Sequence, residues 1–260
     1  MYIDKEKYIA HIVDNDKIIL MRQLLDKIEN VSLEHSIENT DFLDPYEIYL
    51  SKSILNRFHI GYYEDGGITD AERKIIQIFP DYYESSSILS PIKALKVRGH
   101  ISGLSHKDFL GALLNVGIKR SKVGDILLYE DYSALIVKSE ISDFILLNLE
   151  KIGNKNISLQ EMDLENLTTP NLKYKDMDEF IASTRLDIVI SSAYNLSRIE
   201  SSKLIKSGRV KVNWKEINKP SIELEKGDVI SIRGYGRAIL YSLEGLSKKG
   251  RLKATIRILI

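Results

Sequence analysis

Cations recur between Arg185 and Lys211 in a way that suits the backbone of a nucleic acid. Arg185, Arg198, Lys203, Lys206, Arg209 and Lys211 fall within one short stretch. Ser197-Arg198-Ile199-Glu200 reads as a capping box, so Ser197 begins a helix with Arg198 in its first turn. Free backbone amides at such a helix start favour phosphate. Guanidinium groups add bidentate bonds to phosphate oxygens, and lysines add point charge. Contacts of this kind hold a backbone without reading bases. Arg233 and Arg237 frame the turn Gly234-Tyr235-Gly236 and prolong the basic run, with Lys248, Lys249, Arg251 and Lys253 beyond it. A separate run, Lys119-Arg120-Ser121-Lys122, follows a predicted helix and is either a solvated loop or a further contact. Trp214 lies at even spacing from Val210 and Val212, which makes it either a stacking platform or part of a packed sheet face.

Catalytic groups are scarce. The 260 residues include no cysteine, which removes disulfides, a thiol nucleophile, Fe–S clusters and thiolate zinc sites. That fits a reducing, cytoplasmic setting. The histidines His11, His35, His59, His100 and His106 have no ligand spacing, and no nucleophile–base pair or carboxylate pair stands out. Gly66-Gly67 reads as a turn, because no GxxxxGK[ST] run follows it. No cofactor and no metal are expected. No apolar run reaches 18 residues and the first ten residues contain no apolar leader core, so neither a membrane span nor a signal peptide is expected.

The net charge of zero, from 37 basic and 37 acidic residues, argues at first against a nucleic-acid partner. Division of the chain reverses this. Residues 181–260 hold 16 Lys/Arg against 7 Asp/Glu, a balance of +9, which leaves 21 against 30, or −9, for residues 1–180. A basic binding module on an acidic body shows this asymmetry.

Apolar spacing over 16–28 predicts a helix, and Asp44-Pro45 predicts the cap and first turn of another to about Leu55. Phe58 to Tyr63 reads as a strand, followed by a short helix over 69–73 and a strand over 74–79. Residues 1–80 are therefore expected to form an N-terminal α+β unit. In 81–165, strands over 92–97, 126–129, 133–137 and 157–160 alternate with helices from Ser105 to Gly117 and over 139–149. That βαββαβ order predicts a ferredoxin-like plait, a fold that does not itself give a function. No aromatic pair for base stacking is evident on its sheet. Residues 166–179 read as a polar linker. In 180–260, Leu186, Val189, Ile190 and Ala193 predict one helix. A second should run from Ser197 to Ser207, ending at Gly208, with short strands over 209–213 and 229–232. The fold class is α+β in three small modules.

The run RLD…SRIESSKLIKSGRVKVNWKEINKPS…KGDVISIRGYG, from Arg185 to Gly236, resembles the S4-like RNA-binding domain. Matching positions are Arg185, Asp187, Ser197, Arg198, Lys203, Leu204, Ile205, Gly208, Val210, Asn213, Pro220, Gly227 and Asp228. Ser201 stands where the family often has alanine. Beyond about Phe42 the chain looks like the YlmH-type proteins. Runs that carry this likeness are GGITDAERKIIQIFP at Gly66 to Pro80 and SHKDFLGALLNVGIKRSKVGDILL at Ser105 to Leu128, with VKVNWK and IRGYGR near the end. The resemblance implies that Arg185, Ser197, Arg198, Lys203, Lys206 and Arg209 contact structured RNA, with Asp187 in support. It also favours contact through Lys119, Arg120 and Lys122.

By that resemblance the protein is expected to be non-catalytic and to dock on rRNA or tRNA of the large ribosomal subunit, in rescue of stalled nascent chains. The acidic N-terminal unit would face a protein partner or shape the assembly. One alternative is an RNA-modifying enzyme similar to pseudouridine synthases, but only about 25 residues follow the S4-like run that ends at Gly236. A second is an adaptor linked to cell division. His59-Ile60-Gly61-Tyr62 and Lys119-Arg120-Ser121-Lys122 resemble fragments of the HIGH and KMSKS signatures of class I aminoacyl-tRNA synthetases. The roughly 60 residues between them leave no room for a nucleotide-binding fold.

Overall fold

A computed structural model describes residues 3–247 and 250–260, so Lys248 and Lys249 lie outside the described residues. The chain forms two compact units, Met1–Pro170 and Asn171–Ile260. Three mixed α+β modules are visible, the first two within the first unit.

The N-terminal module begins with α1 (Lys5–Ile9) and α2 (Asn15–Glu34). The apolar stripe of α2 continues past the predicted end, through Met21, Leu24, Leu25, Ile28 and Val31, all buried. The helix stops where His35 takes a left-handed conformation (φ 53°). After β1 (Glu38–Asn39), α3 (Pro45–Leu55) starts as predicted: Asp44 and Glu47 form a reciprocal capping box, with Pro45 in the first turn. Strands β2 (Gly61–Asp65) and β3 (Ile75–Phe79) complete an antiparallel sheet in the order β1-β3-β2. The predicted strand from Phe58 is thus displaced toward the turn. The helix expected over 69–73 is replaced by turns. There the Asp125 carboxylate accepts from the backbone N–H of Glu72 at 2.7 Å and of Arg73 at 3.2 Å, satisfying amides that a helix would otherwise need to place.

The middle module contains β4 (Ile92–Gly99), α4 (His106–Asn115), β5 (Val123–Leu128), β6 (Ser133–Lys138), α5 (Ser142–Asn148), β7 (Lys151–Ile152) and β8 (Lys155–Met162). Its antiparallel sheet has the order β5-β6-β4-β8-β7. Ser105 and Asp108 form the predicted capping box of α4. One sheet face, with Leu95, Val97, Leu135 and Val137, packs on Phe109 and Leu113 of α4 and Ile145 of α5. The other, with Ala94, Ala134 and Ile136, packs on Phe42 and Ile75 of the N-terminal module. All six residues of β6 are therefore buried. Gly124 lets the Phe42 ring approach, since a Cβ there would lie 2.7 Å from it.

The second unit contains β9 (Tyr174–Ile181), α6 (Leu186–Tyr194), α7 (Arg198–Lys206), β10 (Val210–Val212), β11 (Lys215–Glu216), β12 (Val229–Ile232), β13 (Gly236–Leu246) and β14 (Leu252–Leu259). They form one antiparallel sheet, β11-β10-β12-β13-β14-β9, and the two helices. Leu186, Val189, Ile190 and Ala193 of α6 and Leu204 and Ile205 of α7 share a core with Val210, Ile230, Ala238, Leu240 and Ile256 of the sheet. Residues 174–179 of the expected linker are therefore strand: β9 pairs with β14 along its whole length. The pairing partner lies about 80 residues away in sequence, too far for local pattern to show it. The C-terminal strands β13 and β14 likewise enlarge the small sheet that was expected.

Charge closes the seam between the first two modules. Asp41 accepts from Lys122 Nζ at 2.7 Å, Lys138 Nζ at 3.1 Å and Ser121 Oγ at 2.8 Å. Burial alone would raise the Asp41 carboxyl, but these hydrogen bonds outweigh it and hold the group below its ordinary value of 3.8. A carboxyl lowered on folding stabilises the native state above its unfolded value, and this contribution fades as pH falls through the folded value. Asp41→Asn should therefore lower stability at pH 7 by about 1–3 kcal/mol. Its deficit relative to the parent should shrink below about pH 4. Thermal unfolding from pH 7 to pH 3 measures both effects; a deficit independent of pH would contradict this role for the charge.

Candidate nucleic-acid interface

The helix side of the second unit is organised around one carboxylate. Asp187, in the first turn of α6, is 3% exposed. Its Oδ1 and Oδ2 accept from Arg185 Nε at 3.0 Å and Nη2 at 2.9 Å, a bidentate pair. Its Oδ2 also accepts from Arg198 Nη2 at 3.0 Å, reaching to the next helix. Burial would push the Asp187 carboxyl up; the hydrogen bonds from Arg185 and Arg198 overcome it and lower the group. The arginines remain accessible, with side chains 37% and 60% exposed. Each guanidinium thus spends some donors on Asp187 and presents the rest outward. Lys203 and Lys206 are exposed on α7, the helix that Arg198 begins.

Local chemistry sets these positions. The backbone N–H groups of Leu186 and Asp187 donate to the carbonyls of Ile222 and Pro220, so the start of α6 is capped by a distant loop. Asn195 is left-handed (φ 50°) and ends α6, allowing the chain to turn into α7. Ser197 accepts from the Glu200 backbone while Glu200 bonds back to Ser197, so the predicted capping box is present. The Ser197 hydroxyl is therefore held by the cap. Gly208, at φ 70°, follows the helix and is succeeded by a bond from Arg209 N–H to the Leu204 carbonyl.

A different set of cations lies on the sheet surface opposite the helices. Val210 and Val212 point into the core, and Lys211 between them is exposed. Lys211 sits opposite Ser231, which sits opposite Arg237, forming one row across β10, β12 and β13. Arg209 donates from Nη2 to the Arg233 carbonyl at 2.9 Å, placing both arginines at the same end of the sheet. Of the residues expected to bind RNA, Arg185, Ser197, Arg198, Lys203 and Lys206 belong to the helix side. Arg209, Lys211, Arg233 and Arg237 belong to the sheet side. Asn213 and Asp228 serve the frame: Asn213 Nδ2 donates to Asp228 Oδ1 at 2.7 Å, and Val229 N–H donates to Asn213 Oδ1 at 2.9 Å.

The basic run of the middle module is placed differently. Lys119 is exposed, but Arg120 and Lys122 are only partly so. Arg120 donates to the carbonyls of Val123 and Gly124, and burial, with Arg73 nearby, pushes its guanidinium down to about 10. Lys122 pairs with Asp41 and with Glu140, both at 2.7 Å. Of these three cations, Lys122 thus holds the seam between modules, while Arg120 braces the start of β5. The acidic partner, Asp41, lies 81 residues earlier than Lys122, so sequence spacing gave no sign of the pair.

Trp214 also departs from expectation. It is not on a strand face but in the two-residue turn between β10 and β11, at φ 64° after Asn213 at φ 47°. Tyr129 and Tyr132 stack at 4.5 Å between ring centroids at the β5–β6 hairpin, with Lys96 Nζ 4.1 Å from the Tyr132 ring. Both rings lie outside the strands, at the two ends of the turn, so they are not a pair on the sheet surface. Among the described residues, no group of three or more His, Cys, Asp or Glu could hold a metal ion, and no helix is long and apolar enough to cross a membrane.

A short two-helix layer on an antiparallel sheet, with arginines gathered by a buried aspartate, defines an S4-type module. Residues 184–230 match the S4 domain family, and residues 93–166 match the family described as "Putative RNA-binding domain in YlmH". The chain is 35% identical over 242 residues to "Ribosome-associated protein quality control protein P2" of Bacillus subtilis (strain 168), spanning 92% of this chain and 94% of that one. It is 40% identical over 78 residues to the small ribosomal subunit protein uS4 of Citrifermentans bemidjiense, spanning 27% of this chain and 36% of that protein. The structure of "Cell division protein ylmH from Streptococcus pneumoniae" shares the fold at a TM-score of 0.52 and 20% identity, covering 60% of this chain and 97% of that chain. The chain belongs to the YlmH family, whose members carry a C-terminal S4-like RNA-binding domain.

Asp187→Asn keeps the size of the side chain and removes the charge that gathers two arginines. It should weaken RNA binding about tenfold by loosening their alignment, although it removes a negative charge close to the bound phosphates. Fluorescence anisotropy with labelled bulk tRNA measures this. Tighter binding would show that Asp187 acts only as a repulsive charge.

Proposed function

We propose that this protein is a non-catalytic RNA-binding protein of the ribosome, acting in the quality control of stalled nascent chains. The carrying observation is the Arg185–Asp187–Arg198 cluster within a unit of strongly basic composition. Its two guanidiniums are pre-oriented, so less side-chain freedom is lost when phosphate is bound. The naming of the Bacillus relative supports the ribosome as the site of action. Arg185, Arg198, Lys203 and Lys206 would hold one stretch of RNA backbone, and Arg209, Lys211, Arg233 and Arg237 would add contacts from the sheet side. Stabilising one arrangement of rRNA or tRNA on the large subunit is a binding function and needs no bond chemistry.

The middle module is read as a ferredoxin-like plait. What supports this is the order of its four long strands: numbered along the chain, they lie 2-3-1-4, all antiparallel, with helices after the first and third. Part of the sheet face that such modules offer to RNA is taken by Phe42 and Ile75. Lys119 remains its exposed basic candidate from the run, while Arg120 and Lys122 have structural roles. The N-terminal module, with Leu33, Tyr49 and Tyr63 exposed, is proposed to face a protein partner, and the protein to work in the cytoplasm.

Co-sedimentation with isolated large ribosomal subunits at graded salt tests the reading. Phosphate contacts release counterions, so doubling the salt should weaken binding about tenfold or more for six such contacts. The pair Arg198→Glu and Lys203→Glu should reduce binding at low salt and flatten the salt dependence by about two contacts. Salt-insensitive sedimentation, unchanged in this variant, would overturn it.

A further inference from the structure

The turn between β10 and β11 holds a residue in a conformation that its side chain disfavours. Val212 pairs with Lys215, so Asn213 and Trp214 are the whole connection. A two-residue hairpin of this kind requires positive φ at both positions. Asparagine tolerates it, whereas the second position is ordinarily suited to glycine. Trp214 occupies it at φ 64°. A bulky side chain at positive φ persists only where something else holds it, and such outliers mark functional positions.

The indole has a defined neighbour. The Arg237 guanidinium lies over the Trp214 ring, 5.2 Å from its centroid. Arg237 ends the cross-strand row that begins at Lys211, on the sheet surface away from the helices. The attraction of a guanidinium to an indole face orients the cation without using its hydrogen-bond donors.

We propose that Trp214 is a positioning residue: it holds the Arg237 guanidinium beside Lys211 so that the pair takes a phosphate of bound RNA. This rests on the RNA-binding reading of the second unit, and adds to it a role for the tryptophan and a second basic contact surface. Glycine at position 214 would give the turn its preferred residue and remove the ring. Stability and RNA affinity should therefore move apart.

The test uses the full chain and bulk tRNA, with affinity by anisotropy and stability by thermal unfolding. Trp214→Gly should leave Tm unchanged or raised and weaken binding about fivefold. Arg237→Gln should weaken it similarly, and the double variant no further, because the two residues act as one. Trp214 is the chain's only tryptophan, so its fluorescence should change saturably with added tRNA, at the same midpoint as the anisotropy, and the change should be reduced in Arg237→Gln. A fall in Tm with Trp214→Gly would assign the ring to packing and overturn the proposal. Unchanged affinity, or losses that add in the double variant, would overturn it as well. If those results accompany normal loss of binding in the Arg198→Glu, Lys203→Glu variant, the RNA-binding reading stands and only the role of Trp214 falls. Failure of the parent chain to bind tRNA or large subunits would remove the reading itself.

Discussion

The second unit depends on a buried carboxylate shared by two guanidiniums. Asp187 is almost closed to solvent, yet it carries a charge that burial opposes. Arg185 precedes α6 and Arg198 begins α7, so neutralising Asp187 ties the starts of both helices together. Loss of either arginine would leave part of that charge uncompensated, the costly case for a buried ion. The same bonds fix the directions in which the remaining donors point. Structural and binding roles are therefore carried by the same atoms.

The first unit solves a different problem. The middle sheet has two apolar faces, and its own helices cover only one. Phe42 and Ile75 of the N-terminal module cover part of the other, with Gly124 making room for the ring. Around that apolar contact, Asp41 draws Lys122 and Lys138 together, and the Asp125 carboxylate ends the backbone of 72–73. Of a basic run that looks like a binding loop in sequence, Lys122 is taken up by this closure and Arg120 by carbonyls of its own module. Composition alone cannot distinguish a cation aimed at a partner from one aimed at a neighbouring carboxylate.

Local signals were the legible part. The capping boxes at Asp44, Ser105 and Ser197 are read from residues three apart and appear as predicted, because a cap involves only its own first turn. The helices of both later modules follow from apolar spacing for the same reason. The S4-like surface was recognisable because its cations lie within one short stretch. Residues 174–179 were read as linker, 69–73 as helix, and Trp214 as either a stacking platform or part of a packed sheet face. The first two depend on distant partners, β14 and Asp125, while Trp214 depends on the two-residue turn between β10 and β11.

By itself the sequence determined the charge division at residue 180, the absence of thiol chemistry, the helix starts and the set of cations available to RNA. These follow from residue type and near-neighbour spacing. Tertiary structure decided which of those cations remain available. It placed Arg185 and Arg198 on one carboxylate, turned Lys211 and Arg237 to a separate surface, and assigned Lys122 to Asp41. The reason is physical: the energy of a charge depends on what lies within a few ångströms, and folding supplies those neighbours from positions far apart in the chain.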